Sequence, residues 1–68
     1  MPTKQQLIND LVAMTGKFIA QGKQFKPNYL DVLYDRVFHW FPNDGLPVAM
    51  ELREKLITAY PDFMKQFN

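Results

Sequence analysis

Pro27, Pro42 and Pro61 bound three long stretches of this chain, and in each the apolar residues return at steps of three and four. Proline removes a backbone donor and clashes with the preceding helical turn, so a helix cannot run smoothly through it. Steps of three and four put apolar side chains on one face of an α-helix, not on alternate faces of a strand. The chain is therefore predicted to be all-α: a compact three-helix bundle with helices over about 3–21, 28–41 and 46–60, followed by a short helical turn over 61–67. Sixty-eight residues allow one core, and the whole of 1–68 is expected to be a single α-helical domain.

The first helix carries the clearest local signals. Thr3 and Gln6 have the spacing of a capping box, in which each side chain satisfies the other residue's free amide. Leu7, Leu11, Met14 and Phe18 form its apolar stripe, widened by Ile8, Val12 and Ile19. Gly22 suits the helix end, where φ is positive and a Cβ is penalised. Gly16 sits in mid-helix at a cost of about 1 kcal/mol against alanine. Its plain reading is a tolerated surface glycine, and its sharper one a close helix–helix crossing. Phe25, in the connector before Pro27, is expected to fold back onto the core.

Asn28 is the expected N-cap of the second helix, with Asp31 in the first turn where the helix dipole favours an anion. Leu30, Leu33, Tyr34, Val37, Phe38 and Phe41 make the strongest apolar stripe in the protein. Tyr29, Val32, Arg36 and Trp40 form a second row beside it. A helix so widely apolar is expected to sit centrally or to meet a second partner. After the turn Pro42-Asn43-Asp44-Gly45, Asp44 is the expected cap of a third helix whose inner side is Val48, Ala49, Leu52, Leu56, Ala59 and Tyr60. Phe63, Met64 and Phe67 remain to close the base of the core.

A domain of this size buries only about 60% of the surface of its unfolded chain, so small chains commonly add a staple or an oligomeric contact. With no cysteine, disulfides and thiolate zinc sites are excluded, and one histidine, His39, excludes a multi-histidine site within one chain. Tight packing or self-association remains. The residues are 47% hydrophobic and 15% aromatic, with six Phe, three Tyr and one Trp, a large load for three short helices.

The chemistry of catalysis is not visible. There is no serine, and of three threonines Thr3 reads as a cap while Thr15 and Thr58 fall inside helices. Glycines at 16, 22 and 45 make no phosphate cradle. No cofactor and no enzymatic activity are expected. Asp31, Asp35 and His39 fall nearly on one line of the second helix, a spacing that invites a cation. Ligands of real metal sites converge from several elements, and the plain reading is a solvated polar edge.

The net charge of +1 is not that of a dedicated nucleic-acid binder, although it is uneven. Lysines 4, 17, 23 and 26 dominate the stretch up to Pro27, while Asp31, Asp35 and Asp44 outweigh Arg36 in the next. The second and third helices could form a helix-turn-helix. Its candidate nucleic-acid contacts are Lys17, Lys23, Lys26, Arg53 and Lys55. Against it, Glu51 and Glu54 stand on the would-be recognition helix, where phosphates want cations. No apolar run reaches the ~20 residues of a membrane span, and a cytoplasmic protein is expected.

The leading expectation is a small non-enzymatic protein–protein interaction or regulatory module. Its candidate partner-binding residues are Tyr29, Val32, Arg36 and Trp40, rich in the residue types that anchor interfaces. The first partner to consider is another copy of the chain, which would also relieve the shortage of core.

Overall fold

A computed structural model describes residues 1–67. The chain forms helices α1 (Lys4–Ala20), α2 (Tyr29–Trp40), α3 (Gly45–Ala59) and α4 (Pro61–Met64), with a 3₁₀ turn over Lys65–Phe67. The three long helices match the expected segments to within one or two residues, and Pro61 begins the short fourth helix at a position where a missing amide costs little.

At the start of α1 the capping box is complete. The Gln6 amide donates to Thr3 Oγ1 at 3.1 Å, and the Thr3 amide donates to Gln6 Oε1 at 2.9 Å. At its end Gly22 takes φ +71°, Gly22 N donates to Ile19 O and Lys23 N to Phe18 O, each at 3.0 Å. This pair of bonds is a Schellman closure, and it satisfies two of the carbonyls the helix end would otherwise leave free.

The other two expected caps do not form. Neither Asn28 nor Asp44 makes a side-chain hydrogen bond to its helix. A capping residue needs extended backbone to swing its side chain over the free amides. Asn28 (φ −90°, ψ 13°) and Asp44 (φ −112°, ψ 12°) are instead curled into the preceding turn. The Tyr29 amide is met by the Lys26 carbonyl at 3.0 Å, and Asp44 turns outward to Lys4 Nζ at 3.3 Å.

The core comprises Leu7, Ile8 and Leu11 of α1, Leu30, Leu33 and Val37 of α2, Val48, Ala49, Leu52 and Leu56 of α3, and Met64 of α4. The central element is α3, not α2 as the width of the α2 stripe suggested. It packs closely against α1, α2 and α4, whereas α1 and α2 approach each other less closely. Gly45 and Ala49 are both buried on α3, and the Phe38 ring occupies the space that a β-carbon at Gly45 would take. With α3 between its neighbours, the outer flanks of α2 stay uncovered.

Several positions depart from the expected stripes, among them Ala59, which is exposed instead of facing inward. Thr15 is wholly buried, while Met14 and Phe18 are only half-buried. Phe38, placed by its spacing in the inner stripe, is exposed. It lies about 100° around the helix from Val37, on the side away from Leu33, and its ring rests on Gly45.

The opposite end of the bundle is closed by aromatic rings. Phe25 meets Tyr29 at 4.7 Å and Phe63 at 4.6 Å, both edge to face, and Phe63 meets Phe67 at 5.2 Å. Phe25 thus does fold back onto the core, and Phe63 and Phe67 seal its base around the buried Met64. Such edge-to-face pairs add about 0.5–1.5 kcal/mol beyond the area they bury.

Candidate protein interaction surface

The row Tyr29, Val32, Arg36 and Trp40 is divided by the fold. Tyr29 turns inward. Its hydroxyl lies 2.7 Å from that of Thr15, which donates its own proton to the Leu11 carbonyl at 2.9 Å and so accepts from the tyrosine. Burial raises the Tyr29 pKa above the ordinary tyrosine value, and the hydrogen bond with Thr15 works against that rise. Tyr29 is therefore part of the structural ring cluster.

Val32, Arg36 and Trp40 face outward. Val32 is 46% and Trp40 36% exposed. With Asp35 and His39 they line a shallow recess on the outer flank of α2. His39 stands edge-on to the indole at 5.3 Å, so this flank offers an aromatic pair beside an arginine and an aspartate. Asp31, Asp35 and His39 are all exposed, and among the described residues no group of three such side chains could hold a metal ion.

A second apolar surface lies on the other flank of α2, and the sequence reading missed it. Phe38, Leu46 and Met50 are 42%, 63% and 60% exposed. Together with Tyr34, Ala49 and Arg53 they line a groove between α2 and α3. Leu46 and Met50 are four residues apart and off the Val48–Leu52–Leu56 line, which is the one signal in the sequence that could have revealed an outward apolar pair.

Beyond Tyr34 and Arg53 the groove continues into a more polar recess, lined by Pro27, Leu30, Asp31, Gln66 and Phe67. The Tyr34 hydroxyl is buried at this junction and has no hydrogen-bond partner among the described residues. Its pKa is raised by burial, lowered in part by the Arg53 charge and raised again by Asp31. A hydroxyl without a partner in such a place is costly to the isolated domain.

The candidate nucleic-acid residues do not converge. Lys17, Lys23 and Lys26 are exposed around the α1–α2 connector, where Lys23 Nζ sits 4.0 Å from the centre of the Phe18 ring. Arg53 borders the α2 side of α3, whereas Lys55 borders α1 beside Val12, Glu51 and Glu54. Arg53 and Lys55 are about 200° apart on the helix with Glu54 between them, so the outward face of α3 presents carboxylates and Met50. Among the described residues no helix is long and apolar enough to cross a membrane. No family model, curated protein or solved structure matches the chain.

Proposed function

We propose that this protein is a non-enzymatic protein–protein interaction or regulatory module that self-associates, with α2 at the centre of its contact surface. One observation carries the reading: Val32 and Trp40 on one flank of α2, and Phe38 on the other with Leu46 and Met50 of α3 beside it, stay 36–63% exposed in a domain that has little core to spare. Apolar side chains grouped in this way lower the free energy of a complex through the water they release. Aromatic residues and arginine, present here as Phe38, Trp40, Arg36 and Arg53, are the types that concentrate binding energy at interfaces.

Sedimentation equilibrium between low and high micromolar concentration tests this. A mass that rises with concentration is the expected result, and a strict monomer throughout overturns self-association. Retention on duplex DNA at low salt would overturn the assignment in favour of the helix-turn-helix alternative, since cations would then have to outweigh Glu51 and Glu54.

A further inference from the structure

We infer that the groove between α2 and α3 is the dimer interface, with a two-fold axis running along the groove so that α2 of each protomer lies on α3 of the other. This rests on the self-association reading above and specifies its geometry.

The groove has two chemically different ends. Helices α2 and α3 run antiparallel, because Phe38 lies against Gly45 at the turn while Tyr34, further back on α2, lies beside Arg53, further along α3. At the turn end, Phe38 on α2 is level with Leu46 on α3. At the far end, Asp31 on α2 is level with Arg53 on α3, across the polar recess. Among the described residues neither Asp31 nor Arg53 makes an ion pair. Along the groove, therefore, like faces like at the apolar end, and opposite charges stand apart at the other.

A two-fold contact repeats each pairing reciprocally. An axis along the groove keeps each residue at its level and exchanges α2 for α3. Phe38 of one protomer then meets Leu46 of the other, and Asp31 of one meets Arg53 of the other, twice over. The α2 of one protomer runs antiparallel to the other's α3, and the four helices form an antiparallel bundle with short connections. An axis across the helices instead lays α2 on α2 with its direction reversed. With the two grooves in full overlap, that sets Phe38 over Asp31 and buries a charge against a ring, which is strongly unfavourable. The charge pattern thus selects the first arrangement.

Size agrees. A stable interface covers about 800 Å² on each partner, roughly one sixth of the 4743 Å² of this domain. In a molecule of 33 × 20 × 19 Å that is about the extent of one long side.

Charge reversal tests the arrangement. Asp31→Arg and Arg53→Asp are each expected to weaken dimerisation at least tenfold in sedimentation equilibrium while circular dichroism shows an intact fold. An equimolar mixture of the two variants is expected to recover dimers of near wild-type affinity, because both cross-protomer pairs are then of opposite sign. Failure of the mixture to recover, or indifference of dimerisation to both reversals, overturns this interface. If dimers persist through both reversals but are lost on Val32→Lys with Trp40→Ala, self-association stands and its surface is the outer flank of α2. A wild type that stays monomeric overturns both.

Discussion

The ring of Tyr60, the residue that closes α3, lies directly over Gly16 of α1, so that a β-carbon at position 16 would overlap the phenol oxygen. The mid-helix glycine thus has a packing reason, and the partner is a side chain rather than the backbone of a crossing helix. Because Tyr60 is half-buried against the core, the ring cannot simply be displaced without losing contacts of its own.

Gly16→Ala should therefore fail to deliver the gain of about 1 kcal/mol that alanine brings to a helix interior, and should instead destabilise the domain by roughly 1 kcal/mol through overpacking. In a Tyr60→Ala background the same change should become stabilising. Urea denaturation of the four proteins of this cycle checks the change of sign. Additive effects would show that the two residues are not in contact.

Thr15 is expected to matter through its hydroxyl more than its methyl. Thr15→Val leaves the Tyr29 hydroxyl without its acceptor and should cost about 1 kcal/mol. Tyr29→Phe should cost less, since Thr15 keeps its bond to the Leu11 carbonyl. With both changes the two hydroxyls vanish together, and stability should return most of the way to wild type. A Thr15→Val protein as stable as wild type would contradict the hydrogen bond between them.

At high pH the two inward tyrosines set a limit. Their folded pKa values are raised, chiefly by burial, so the neutral phenol is favoured in the native state. A raised pKa means that the contribution is complete below the unfolded value of about 10 and is lost as pH climbs through the folded value. Stability should fall above about pH 10, and the Tyr29→Phe/Tyr34→Phe protein should lose less of it over the same range. Thermal unfolding at pH 8, 10 and 11 measures the difference. Tyr34→Phe alone should leave the monomer unchanged or slightly more stable at neutral pH, because the hydroxyl it removes has no partner among the described residues.

Gly22 needs its missing side chain for a backbone reason alone. Nothing lies within 4 Å of where a β-carbon would stand, but φ is +71°. Gly22→Ala should cost about 1–2 kcal/mol from the left-handed backbone, and Gly22→Asn distinctly less, since asparagine tolerates that region. Equal losses for the two would point to a steric cause.

Features decided by a few neighbouring residues were legible in the amino-acid order. The Thr3–Gln6 box, the positive φ at Gly22 and the breaks at the prolines depend on bonds within one turn of chain, so their residues carry the signal themselves. The helical segments and most of the core followed from apolar spacing for the same reason. Even here Asn28 and Asp44 show the limit, because capping also depends on how the incoming turn sets their backbone.

What only the tertiary structure decided was which flank of each stripe the neighbouring helices would cover. An apolar stripe spanning more than half of α2 does not say where its neighbours stand. With α3 at the centre, Thr15 is buried and Tyr29 half-buried, while Phe38, Leu46 and Met50 are left outside. Spacing along a helix sets angles about its own axis. The crossing of one helix by another sets what those angles meet.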